Sequence, residues 1–405
     1  MKTLKAERIT YLDNLRSLMI VFVVLFHAAA AYAAVAPHWA VHDTNTFAAD
    51  IIRELFDVFM MPVLFFAAGY FTLPSLEKKG AWAFLKDKAR RLLVPWALAV
   101  LIVLPLALYD QPVKPIRPFR SYWLSYLSSF QVRLRPTQVP VGPTTQAVYW
   151  FISLLCAFFA VSALVYALAR RKGTFLPAAR AAAGPRSVLA ALAAFGLLTT
   201  AGHFILLLLV PDSSWFTLHM LLEFQVTRLV PYAGCFALGI YAQSRGWLAG
   251  GKPLGSLAVW GALSAGLAAA YLVLGQPLFG SGAATASLPV GLLLAFAFVR
   301  SFLVVSLLVV FVSCGARYWN RASALTERFA AASYNIYLVH FLIVVALQTA
   351  LVEWVGGPAL AKIAIVFPVA LALSYALCRW VLERHSRAFA AVILALFVLC
   401  LAIRP

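Results

Sequence analysis

Charge is what this chain has least of. Only 12% of its 405 residues are Asp, Glu, Lys or Arg, while 63% are hydrophobic, and the mean hydropathy is +0.90. A soluble domain carries roughly a quarter of its residues as charges. Half that fraction cannot cover a water-soluble body of this size, so the solvent for most of the chain must be lipid. Acid is scarcer still: 14 Asp plus Glu stand against 33 Lys plus Arg, a net charge of +19. Carboxylates are nearly missing from the middles of the apolar runs, which weighs against a proton-coupled carrier. The basic residues lie in short connections between apolar runs, with no folded basic face, which argues against nucleic acid. The five cysteines (Cys156, Cys235, Cys314, Cys378 and Cys400) show no pairing pattern. They imply neither a disulfide framework nor a metal site. A soluble repeat is also lacking.

What is present is a series of apolar runs near the length a membrane span needs, about 20 residues. They lie near 15–36, 55–74, 92–109, 147–169, 188–210, 229–243, 254–275, 287–313, 333–352, 361–380 and 388–403. The pattern predicts an all-α integral membrane protein, a polytopic bundle of about ten or eleven transmembrane helices. The first run resembles a signal peptide in its basic flank and small residues. Its length, Asp13 and Arg16 at its mouth and His27 inside it favour a retained helix. With the N-terminus in the cytoplasm, the inner connections hold 23 Lys and Arg and the outer ones 9, with Arg300 inside a helix. That asymmetry sets the orientation. The longest connection, 110–146, carries six prolines and five basic residues on the outer side. It reads as a solvated loop with a short surface helix near 121–130, or as a basic lip for an anionic acceptor or lipid headgroups.

Ionisable groups inside spanning helices are costly and often mark function. Three are expected near mid-depth: His27, Arg300 and His340. His27 lies eleven residues past Arg16, about 16 Å along a helix. A neutral imidazole there can take a proton from a hydroxyl and return it. Arg300 must find an anionic partner, water or carbonyls; it reads either as a structural ion pair or as a stabiliser of an oxyanion or phosphate. His203 reads as structural. Arg53 and Asp57 are four apart and are expected to pair on one helix face. The inner connection 75–91 ends in Lys86, Lys88, Arg90 and Arg91, which serve topology or clamp a phosphate-rich donor.

Five elements, in order along nearly the whole chain, carry a resemblance. They are YLDNLR (11–16) followed by ten residues and then His27, FDVFMMPVLFFAAGYF (56–71), FLKDKARRLLVPW (84–96), YWFISLL (149–155) and SYNIYLVH (333–340). Together they resemble the transmembrane acyltransferase family 3, with the second-helix and W-F elements nearest the branch of glucan biosynthesis protein C. The resemblance implies an acyl-CoA-dependent O-acyltransferase. It would move acetyl or succinyl from cytoplasmic acetyl-CoA or succinyl-CoA to a hydroxyl of a glycan, glucan or other acceptor at the outer face. It implies a ten-helix domain over 1–387 and an added C-terminal helix in 388–405; the Ala- and Arg-rich composition points to a bacterium, and so to a cytoplasmic (inner) membrane with lipid as the surrounding partner. His27, Arg16 and Asp13 would form the catalytic group, and Arg90, Arg91 and Lys86 would hold the donor. Arg300, Tyr334, His340 and Trp150 would contact an oxyanion or substrate; no metal is implied. Direct transfer by His27 as base and an acyl-histidine intermediate stay open. The rival is a secondary transporter or flippase without acyl-transfer chemistry, although no second Arg-x10-His unit marks an inverted repeat.

Overall fold

A computed structural model describes residues 9–36, 39–108, 118–128, 132–138, 146–173, 184–218, 221–279 and 288–402. Each of the eleven expected segments falls on a helix. These are α1 (Thr10–Ala30) and α2 (Phe47–Tyr70), then the short α3 (Thr72–Lys79) and the long α4 (Ala81–Leu106). After a short α5 (Phe119–Ser128) come α6 (Trp150–Arg171), α7 (Pro185–Leu209), α8 (Leu229–Ser244) and α9 (Leu257–Gly275). The chain closes with α10 (Val290–Tyr318), α11 (Ala324–Val352), α12 (Ala359–Ala376) and α13 (Glu383–Ala402). Eight of the described helices are long and apolar enough to cross a membrane. The chain is an all-α, multi-pass membrane protein. α2 falls outside those eight, carrying Asp50, Arg53, Glu54 and Asp57 in its first half. α8 is shorter, at 16 residues, and the apolar part of α13 is confined to Ala390–Ala402.

α1 is the central post. It packs against α2, α10, α11 and α12, and its buried face runs from Tyr11 to Ala30. α2 and α8 form the tightest pair, and glycine is the reason. A Cβ on Gly239 would lie 2.1 Å from the Phe66 carbonyl oxygen, and one on Gly69 would lie 2.0 Å from that of Phe236. Only hydrogen fits at either place, so the backbones touch. Small-residue contact of this kind holds membrane helices together where apolar burial gives no advantage over lipid.

α4 departs from regular geometry twice, in π-helical turns at Ala89–Leu93 and Ala99–Val103. Pro105 has no N–H to offer the Leu101 carbonyl four residues back, and the Trp123 indole of α5 donates to that oxygen at 3.2 Å. In the first π-turn the Leu92 carbonyl accepts from the Tyr334 hydroxyl at 3.0 Å.

Two boundaries moved with consequence. α1 begins five residues earlier than expected and ends at Ala30, so His27 stands in its last turn and not at mid-helix. α11 begins nine residues earlier, at Ala324, where Ser323 and Thr326 form a capping box. His340 is therefore just past its midpoint. One feature was not expected at all: a three-stranded antiparallel sheet of β1 (Val132–Gln138), β2 (Ser214–Leu218) and β3 (Leu222–Gln225). The expected surface helix near 121–130 is α5, and α13 packs on it, with Phe397 edge-on to Phe119 and Trp123.

Candidate active site

His27 and His340, 313 residues apart in sequence, face one another. His27 Nδ1 lies 3.0 Å from His340 Nε2, and both residues are buried. Their protonation follows from the partners. His340 Nδ1 is 2.7 Å from the Tyr337 carbonyl and 3.2 Å from that of Ile336. Carbonyls only accept, so in the neutral ring Nδ1 carries the proton and Nε2 the lone pair. His27 Nδ1 must then donate to that lone pair. The remaining lone pair of His27 sits on Nε2, the atom a base or nucleophile would use.

The ring of His27 is held on two sides. Trp39 stacks on it with centroids 5.1 Å apart and planes 12° apart. Gln348, fully buried on α11, accepts from the Trp39 indole at 2.8 Å and donates to the carbonyls of His27 and Ala28 at 3.0 and 3.1 Å. Trp39 stands on the connection between α1 and α2. That connection is fastened by a buried ion pair between Asp43 and Lys362 of α12, at 2.5 Å. Trp39, Gln348 and this pair were missed by sequence reasoning, because nothing local distinguishes them.

An ion network lies beside the pair on α2. Asp57 binds Arg300 at 2.8 Å and Arg228 at 3.3 Å. The expected Arg53–Asp57 pair does not form, because these two arginines from other helices claim the carboxylate. Arg300 also donates to the Tyr271 hydroxyl at 2.7 Å. Arg228 binds Asp212 at 2.9 Å, and Thr227 donates to the same carboxylate at 2.8 Å. Burial would raise the Asp212 pKa, but the Arg228 guanidinium holds it well below the usual carboxylate range. His203 stands 3.7 Å from Asp212. Arg300 thus sits in an ion network and makes no hydrogen bond to either histidine.

The remaining expected residues divide by place. Arg16 is at the opposite end of α1 from His27, half exposed, 3.6 Å from Asp13. Arg91 is committed to Asp87 at 2.9 Å, and Lys79 takes the other oxygen of that carboxylate at 2.7 Å. Lys86 and Arg90 instead line a groove of about 780 Å³ along α4, with Trp82, Leu93, Leu98 and Leu101 on its walls. Trp150 stacks on Tyr232 and meets Trp215 of β2 edge-on; no ring contact joins it to the histidines. Next to it, Tyr149 donates to the Leu338 carbonyl at 2.8 Å, and Tyr337 donates to the Val148 carbonyl. The 149–155 element therefore braces the turn of α11 that carries His340. Tyr334 spends its proton on Leu92, so its structural place is the π-turn of α4 and not the histidine pair.

A family model described as an acyltransferase domain matches residues 9–379. No curated protein and no solved structure matches the chain.

Proposed function

Since the chain belongs to this acyltransferase family, and is therefore a membrane acyltransferase, we propose that it uses acyl-CoA as donor and a hydroxyl at the outer face as acceptor. The observation that carries the proposal is the lone pair on His27 Nε2, fixed by the hydrogen-bond chain through His340 to the Tyr337 carbonyl. Arg16, Lys86 and Arg90 stand apart from His27, Arg16 at the far end of the same helix. A donor whose charged end and reactive end are separated by a long arm suits that layout. The phosphates of coenzyme A would meet Lys86 and Arg90, forks and point charges suited to phosphate. Arg16 would hold the inner end, with Asp13 beside it.

The chemistry balances without a further reagent. His27 Nε2 takes the proton of the acceptor hydroxyl as its oxygen attacks the thioester carbonyl. The C–O bond forms, the C–S bond breaks, and the proton on His27 passes to the departing thiolate. His340 Nε2 accepts the hydrogen bond from His27 Nδ1–H throughout and keeps the ring oriented. Acetyl and succinyl are the acyl groups in view. A glycan or glucan hydroxyl is the acceptor in view, the cytoplasmic (inner) membrane of a bacterium is the proposed setting, and the excess of Lys and Arg in alternate connections supports a cytoplasmic N-terminus.

The test is thioester cleavage and acyl transfer by purified protein in nanodiscs, with labelled acetyl-CoA and succinyl-CoA and a mixed glycan extract. Label should reach a glycan fraction with wild type and fall by about 10² to 10⁴ in His27→Ala. Label trapped on wild-type protein and absent from His27→Ala would assign an acyl-histidine intermediate. No turnover of either donor, with solute exchange across proteoliposomes, would replace the enzyme with a carrier.

A further inference from the structure

Three guanidiniums cluster around the first half of α2, and one differs from the others. Arg228 and Arg300 commit their terminal nitrogens to Asp57, Asp212 and Tyr271. Arg53 makes no ion pair among the described residues. Its Nε and Nη1 atoms are out of solvent, and neither has a hydrogen-bond partner. Its contact is the Phe26 ring, 3.6 Å from guanidinium carbon to centroid. Asp57 would be the local partner, but Arg300 and Arg228 hold it. Glu54 follows Arg53 in sequence and faces a different side of the helix, where the Tyr271 hydroxyl donates to it at 3.3 Å.

Buried polar atoms in native proteins are satisfied, and an exception calls for a cause. Nε–H and Nη1–H point along different edges of the guanidinium; both are dry and unmet, and each can donate a charge-assisted hydrogen bond to an oxygen of a carboxylate or phosphoryl group. The place of the guanidinium gives the cause. Phe26 touches both groups: its ring centroid is 3.6 Å from the Arg53 guanidinium carbon and 5.1 Å from that of the His27 ring, edge to face. The unmet donors therefore lie one aromatic ring away from the imidazole.

We infer that Arg53 anchors an anionic group, a carboxylate or a phosphoryl, carried by a molecule that reacts at His27. This rests on the assignment of His27 as the reacting group. The anion can belong to the acyl group, as the distal carboxylate of a dicarboxylic half-ester donor such as succinyl, or to the acceptor. In either case the anchor acts on binding, and Arg53 transfers no proton. An anchored anion holds the reacting molecule in one orientation before the chemistry starts.

The experiment has two readouts. First, thermal unfolding of the full chain in detergent is followed with succinate, inorganic phosphate and neutral succinamide as probes. Wild type and His27→Ala should both be stabilised by an anion and not by succinamide, and Arg53→Met should lose the effect. Arg53→Lys keeps the charge without the placed Nε and Nη1 donors, is the milder change should Arg53→Met not fold, and should lose most of the effect. Second, transfer is measured with succinyl-CoA and acetyl-CoA to neutral and anionic acceptors. If the acyl group carries the anion, Arg53→Met raises KM for succinyl-CoA by about tenfold or more and leaves acetyl-CoA unchanged. If the acceptor carries it, the rise appears with the anionic acceptor for both donors. Failure of both anions to stabilise wild type, or equal stabilisation of Arg53→Met, overturns the inference while leaving any measured acyl transfer intact. Stabilisation without turnover of any donor keeps the anion site and removes the acyltransferase assignment of His27.

Discussion

At the scale of single residues, the partner of the candidate base His27 is a second imidazole where many hydrolytic sites place a carboxylate. The physical reason is the medium. An ionised carboxylate in a spanning helix is costly, whereas a neutral His340 accepts one hydrogen bond at Nε2 and donates another to a backbone carbonyl of its own helix. His340 is a positioning residue in this arrangement. His340→Leu leaves His27 free to take the other tautomer, so kcat should fall about 10²-fold with KM for the donor nearly unchanged. Kinetics with a shifted pH–rate profile would check this; an equal loss in donor binding would count against it. On the far side of α2, Asp212 contributes stability in proportion to its depressed pKa. A depressed carboxylate contributes fully above its unfolded value of about 3.9 and loses that contribution as pH falls through the folded value. Wild type should therefore lose melting temperature more steeply than Asp212→Asn as pH drops below about 4.

At the scale of elements, α2 takes part in both the ion network and the tightest helix contact. Its first half holds Arg53 and Asp57, and its last turn meets α8 through Gly69 and Gly239. An alanine at Gly239 would press on the Phe66 backbone, which cannot rotate away as a side chain would. Gly239→Ala should cost about 1–3 kcal/mol by forcing the helices apart, read as a lower melting temperature in detergent, with Gly266→Ala, where open space surrounds the added methyl, as the silent control. α4 makes a similar point about irregular backbone. In its π-turns and beside Pro105, carbonyls accept from side chains of α5 and α11, Trp123 and Tyr334. The prolines are legible in the sequence. The donors that meet those carbonyls are 22 and 242 residues away, and no local rule names them.

At the scale of the whole molecule, the reading turns on sidedness. The candidate base lies in the last turn of α1, and the basic groove residues Lys86 and Arg90 lie near the start of α4. With the N-terminus inside, Glu77→Cys should react with a membrane-impermeant thiol reagent only after the cells are opened. Glu353→Cys should react in intact cells, each on a background with the five native cysteines replaced by Ala. The reverse pattern would turn the molecule over and put the donor on the wrong face of the membrane.

The sequence by itself determined the solvent, the all-helical multi-pass class and the order of the family's elements. Those properties are written in hydropathy, charge and spacing, which are sums over neighbouring residues. Only the tertiary structure decided that His340 turns its lone pair toward His27 and that Gln348 and Trp39 clamp the ring. It alone decided that Asp57 prefers Arg300 and Arg228 to its helical neighbour Arg53, and that Tyr334 serves a π-turn. Each of these is a contest among partners far apart in the chain. In a medium that offers almost no water to satisfy a donor, the winner is set by which helices pack together.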